Sequence, residues 1–373
     1  MSSPPADSNA IPQVTDGSRT ATRGRAGALL RTDDGVRIEA AYEPGPGPVG
    51  GPVIVLAHGF TGDLERPHVR RAARVFARYA AVVTFSFRGH GRSGGRSTVG
   101  DREVLDLAAA VTWARSLGHS RVITVGFSMG GSVVLRHAAL HGAAAGETPA
   151  PAPGVAAGPA GEADGGRTEA RTGAPGTADR VSGEQERERE RQGKREEAGP
   201  GEGAGAPETA GPEAPGGDRP EGPAVDGPGA RTVSVSVART DAVVAVSSPA
   251  RWYYRGTAPM RRLHWLVTRP LGRVVGRVGL RTRIHDRDWD PVPLSPTAAV
   301  PLIAPTPLLL VHGERDPYFP VDHPRMLAAA SDGHAELWLE PGMGHAEHAA
   351  DDALLERIAR WARDAVPDRR ARG

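Results

Sequence analysis

The sequence predicts an α/β domain with a mostly parallel sheet, an N-terminal antiparallel hairpin, helices on both faces and a small arginine-rich cap. Three observations carry that expectation. Continuous apolar runs, such as Val53-Ile54-Val55-Leu56-Ala57 and Ala81-Val82-Val83-Thr84-Phe85, read as strands buried on both faces. Helical patterns alternate with them, as they must when a parallel sheet is covered on both sides. Gly126-Phe127-Ser128-Met129-Gly130 stands between an apolar run over 121–125 and a helical pattern over 132–137. In that setting the glycines allow a tight strand-to-helix turn that exposes the serine.

Taken in order, residues 28–32 and 36–42 are strand-like and flank Asp33-Asp34-Gly35, a turn signal, so they form the hairpin that opens the sheet. The run ending at Ala57 leads into His58-Gly59-Phe60, and a helix is expected over 67–79. The next strand leads into Arg88-Gly89-His90-Gly91-Arg92-Ser93. Val104, Leu107, Ala108 and Val111 then recur at helical spacing within 101–117, and Gly118 supplies a stop. The helix after Ser128 runs to about His141. Ala242-Val243-Val244-Ala245-Val246, Leu308-Leu309-Leu310-Val311 and Ala335-Glu336-Leu337-Trp338-Leu339 complete the strands. Residues 353–365 form a closing amphipathic helix through Leu354, Leu355, Ile358, Trp361 and Ala362.

Composition divides the chain. Residues 142–230 contain no aromatic residue, Leu, Ile or Met, and only Val155, Val181 and Val225 as larger aliphatics. Such a stretch cannot bury enough apolar surface to offset an ordering cost of roughly 1–2 kcal/mol per residue. It reads as a disordered insertion within a single domain made of 27–141 and 231–366, with tails at 1–26 and 367–373. An alternating acidic and basic run over 184–191 has no packing face and reads as solvated tether.

There is no cysteine, and Lys194 is the only lysine. Disulfides, thiol nucleophiles, Gly-Lys-Ser/Thr phosphate loops and Schiff-base chemistry in the folded part are thereby excluded. No stretch approaches the roughly 20 apolar residues that span a bilayer, and residues 1–26 lack a leader's apolar centre. A soluble cytoplasmic protein is the expectation. The thirteen histidines offer no paired set on one helix beside a carboxylate, so no metal and no cofactor are expected.

A serine hydroxyl is a weak nucleophile and needs a base and a group to orient that base. Asp316 lies just after the Leu308–Val311 strand, and His345 follows the last strand in Gly342-Met343-Gly344-His345. Both positions face the carboxyl ends of the strands, where ligands gather in open α/β sheets. His348 and His334 compete with His345, and Glu314 and Asp322 compete with Asp316. His58, His90 and His312 read as loop-holding residues.

With these motifs the chain resembles an α/β-hydrolase, close to the esterase, monoacylglycerol-lipase and serine-aminopeptidase-like branch. The resemblance rests on five motifs in the family's order: His58-Gly59-Phe60, Arg88 to Ser93, Gly126 to Gly131, His312-Gly313-Glu314-Arg315-Asp316 and Gly344-His345. It implies Ser128 as nucleophile, His345 as general base and Asp316 as the orienting acid. It also implies an oxyanion hole from the backbone N–H groups of Phe60 and Met129. Haloalkane dehalogenases and epoxide hydrolases of similar fold need a carboxylate where Ser128 stands, which leaves acyl chemistry on a small acyl ester. An acyltransferase, a peptidase or a non-catalytic binding scaffold would share the fold.

The expected cap spans 249–300 and reads as irregular. From Pro249 to His285 it holds nine arginines, Arg251 to Arg283, and no acidic residue, interleaved with Trp252, Tyr253, Tyr254, Trp265, Leu271, Val274, Val275 and Val278. That mixture suits either a solvated cap over an acyl pocket or peripheral contact with anionic lipid. Pro270 prevents one long helix there, and no recognised module points to nucleic acid.

Overall fold

The computed structural model describes residues 24–48, 50–142 and 237–367. The expected insertion and tails fall outside the described residues, apart from their edges. Eight strands form one sheet: β1 Ala26–Arg31, β2 Arg37–Glu43, β3 Val53–Ala57, β4 Ala81–Phe85, β5 Val122–Phe127, β6 Ala242–Val246, β7 Leu308–Gly313 and β8 Ala335–Glu340. Their spatial order is β1-β2-β4-β3-β5-β6-β7-β8. β1 and β2 are antiparallel, β2 pairs antiparallel with β4, and every later pairing is parallel. Segments on both sides of the undescribed stretch therefore enter the same sheet, with Phe127 opposite Val246.

The central strands are buried on both faces because alternate side chains feed two separate cores. Val53, Val55 and Ala57 point to one, with Val243 and Leu310; Ile54 and Leu56 point to the other, with Val244 and Leu309. The first core is closed by α2 Glu103–Ser116 and α3 Met129–His141, through Leu107, Val111, Val133 and Leu135. The second is closed by α1 Pro67–Phe76 and a C-terminal helix, Asp352–Asp364, through Val69, Phe76, Leu355 and Ile358. Each fully buried Val, Leu or Ile contributes about 1.5–3 kcal/mol, so this alternation, more than helix propensity, holds the helices in place.

The cap region departs from the expectation of irregular chain. It contains α4 Ala258–Thr268 and α5 Pro270–Gly279, followed by the short α6 Pro296–Ala299. As expected, there is no single long helix: α4 ends at Thr268, and Pro270 takes the first position of α5, where a missing N–H costs no hydrogen bond. Thr257 caps α4 by accepting the Met260 N–H. Gly272 lets the two helices touch, since a Cβ there would lie 2.7 Å from Leu266 Cα. The cap is tied to the loops above the sheet: Arg283 N–H donates to Gly89 O, Trp289 Nε1 to Thr98 O and Thr257 Oγ1 to Tyr318 O.

Two further helices were not anticipated, α7 Asp322–Ala330 and the single turn α8 Ala346–Ala349; the C-terminal helix is thus α9. α7 carries few large apolar residues, and only His323, Pro324 and Leu327 are buried, so its period is faint in the sequence.

Candidate active site

Ser128 sits between β5 and α3 with φ 53° and ψ −114°, a conformation that non-glycine residues rarely adopt. Its neighbours make this turn possible. A Cβ at Gly126 would run into the Gly130 carbonyl, and one at Gly130 would run into the Ala57 carbonyl. The Ser128 N–H donates to Val246 O at 2.8 Å, which fixes the turn to the adjacent strand. The Ser128 side chain remains partly exposed.

His345 follows β8, and its Nε2 lies 2.9 Å from Ser128 Oγ. Its Nδ1 lies 2.7 Å from Asp316 Oδ2, behind the ring. Asp316 is reached three residues past β7; its Oδ1 accepts the N–H groups of Tyr318 (2.8 Å) and Phe319 (3.1 Å). Burial alone would raise the Asp316 pKa. The hydrogen bond and charge of His345, with the two backbone N–H groups, outweigh burial and hold the carboxyl below its usual range. The structure thus brings Ser128, His345 and Asp316 into one hydrogen-bonded chain. It leaves the competing residues elsewhere: His334 bonds Thr306 O, Asp322 lies beside Arg251, Glu314 is exposed, and His348 lies tilted against His68.

The loop after β3 is held by two buried histidines. His58 Nε2 accepts the Phe87 N–H at 3.0 Å, so Nδ1 carries the proton and donates to Gly59 O at 2.7 Å. His90 accepts the Thr61 N–H on Nε2 and donates from Nδ1 to Arg88 O. Burial, reinforced by His90, lowers His58 to about 3, and burial lowers His90 to about 4, so both rings are neutral. Between these anchors, Phe60 N–H has no acceptor among the described residues, and neither has Met129 N–H at the start of α3. His312 braces the other side, with Nε2 2.8 Å from Phe319 O.

Three contributors escape sequence reasoning. Glu347 is buried and accepts the Gly59 N–H at 3.1 Å; Ser247 Oγ accepts the Ala346 N–H; and Tyr318 stacks on the His345 ring with centroids 4.3 Å apart. Tyr318 lies two residues past Asp316 and Glu347 two residues past His345, but neither belongs to a motif. Behind the loop over 88–93, Arg88 forms buried ion pairs with Asp106 and Asp34, and Arg92 pairs with Glu39.

A family model described as alpha/beta hydrolase fold matches residues 52–155. The fold comparison extends this over the whole sheet. An esterase of Pyrococcus furiosus superposes with TM-score 0.50 at 16% identity, covering 95% of this chain and 99% of that one. A second crystal form of the same esterase gives 0.50 at 17% identity, covering 94% and 92%. This is an alpha/beta hydrolase fold. In that fold Ser128 stands at the turn between β5 and α3, and Asp316 and His345 stand after the last two strands. A search of curated proteins finds no match. No helix among the described residues is long and apolar enough to cross a membrane.

Proposed function

We propose that the protein is a serine hydrolase that cleaves a small carboxylic ester through an acyl-enzyme. The observation that carries this reading is the continuous Ser128–His345–Asp316 chain, with contacts of 2.9 and 2.7 Å. In this mechanism His345 Nε2 takes the Ser128 Oγ proton as Oγ attacks the ester carbonyl. The oxyanion then accepts from the N–H groups of Phe60 and Met129, each such donor being worth about 10²–10³ in rate. His345 next gives its proton to the departing alkoxide, and water repeats the sequence to free the acid. Asp316, held in its ionised form, fixes the tautomer that leaves Nε2 able to accept. An acyltransferase or peptidase would share these steps and differ in acceptor or leaving group.

A fluorophosphonate probe and nitrophenyl esters of graded chain length test the reading. Wild type should be labelled and turn over the esters, while Ser128→Ala should lose labelling and at least about 10⁴-fold of kcat. A folded wild type that neither labels nor hydrolyses any ester would leave a binding scaffold as the better description.

A specific observation favours a second reading, peripheral contact with anionic lipid. Along α5, Leu271 (65%), Val274 (56%), Val275 (44%) and Val278 (77%) are exposed at helical spacing, beside the exposed Arg269, Arg277 and Arg281. An apolar stripe flanked by arginines suits a headgroup boundary. Sedimentation with phosphatidylglycerol vesicles should carry the protein down, and Val274→Asp/Val278→Asp should release it; equal sedimentation of both proteins would remove this reading.

A further inference from the structure

Apart from the Ser128 chain, a second group of titratable side chains gathers where α1 meets α8. His68, in the first turn of α1, and Glu347 and His348, in α8, each offer one ligand atom, and these atoms lie within 4.8 Å of one another. The two imidazole rings are 3.7 Å apart between centroids. His68 Nε2 is buried and makes no hydrogen bond; Glu347 Oε1 lies 3.6 Å away, beyond bonding reach. A ring nitrogen withdrawn from water without a partner is an unusual feature that calls for an explanation.

The donor set supplies one. Two imidazoles and a carboxylate are what zinc takes, with a water completing the tetrahedron, whereas calcium and magnesium prefer all-oxygen shells. Ligand atoms about 2.0–2.1 Å from a tetrahedral ion stand about 3.3 Å apart. The His68–Glu347 pair is already close to that spacing, and the exposed His348 closes the remainder by side-chain rotation. The backbone frame is fixed independently, because Arg71 of α1 donates to Glu347 O at 3.0 Å and to Ala350 O.

We propose that His68, Glu347 and His348 form a binding site for a zinc-like divalent cation beside the esterase-like centre. Glu347 Oε1 also receives the Gly59 N–H, so a bound ion and the loop presenting the Phe60 N–H share one carboxylate. The sequence expectation of no metal rested on the lack of ligands paired on one helix; here α1 and α8 come from distant parts of the chain.

The test is independent of the proposed reaction. Untagged full-length protein is titrated with Zn²⁺ by calorimetry and with Co²⁺ by visible absorption. One equivalent should bind, with the intense absorption of tetrahedral Co²⁺, and Zn²⁺ should raise the melting temperature. His348→Gln, at an exposed position, should weaken binding at least tenfold, His68→Gln/His348→Gln should abolish it, and Ser128→Ala should bind as wild type does. No uptake by wild type, or undiminished uptake by folded His348→Gln, overturns the site. The second result would place any bound ion on other histidines.

Discussion

The His345 ring is held from several directions. Asp316 takes its Nδ1 side, Tyr318 lies flat against it, and Phe319 meets it edge-on at 5.6 Å. Asp316→Asn keeps the shape but offers an amide where a carboxylate is needed, so the imidazolium loses its counter-charge. With a nitrophenyl ester, kcat should fall by about 10⁴-fold with little change in KM; a loss below tenfold would remove Asp316 from the proposed mechanism. Tyr318→Ala removes only the stacked face and should cost far less, within about tenfold. The juxtaposition of Ser128, Asp316 and His345 was legible because each lies beside a local signature of turn or strand end. Glu347 and His68 were not legible, because their meeting with Gly59 and with each other is made by tertiary packing.

Among elements, the β5–α3 junction is the most constrained. Gly126 and Gly130 let two backbones approach to a separation that no side chain tolerates, and the Cβ introduced by Gly130→Ala would displace the Ala57 carbonyl at the end of β3. That variant should lose about 3 kcal/mol or more in urea denaturation. A loss under 1 kcal/mol would show that the turn relaxes. The strands were read with ease because their apolar runs are continuous. The cap helices were harder: α4 buries only Met260, and α5 buries only Gly272 and Gly276. With so little core-facing apolar surface, α4 imprints a faint period, and the apolar stripe of α5 lies on its exposed face among arginines, so neither reads as a core helix.

For the whole molecule, buried neutral imidazoles set the response to acid. Burial lowers His323 to about 4, alongside His58 and His90. In the unfolded chain these rings titrate near 6.5, so between about pH 6.5 and 4 the unfolded state binds protons that the folded state refuses. Their contribution to stability is therefore fully present above pH 6.5 and declines as the pH falls. Melting temperature should drop steadily from pH 6.5 to 4.5, before most carboxylates titrate. A flat profile over that window would contradict the neutral assignment of these rings.

The pairing of β5 with β6 also fixes the route of the chain. α3 starts just after Ser128 and runs 13 residues away from it, about 20 Å, and β6 begins opposite Ile123, at the far end from Val246. The described chain thus leaves at Gly142 and rejoins ahead of Ala242, at the ends of α3 and β6 that lie away from Ser128. In modular terms those two ends are a port for genetic insertion: the attachment points at Gly142 and Ala242 are removed from Ser128 by the length of a helix and a strand, so sequence can be spliced in, lengthened or exchanged between them. Swapping residues 143–236 for a glycine-serine tether of ample length should therefore leave kcat and KM for a soluble ester unchanged.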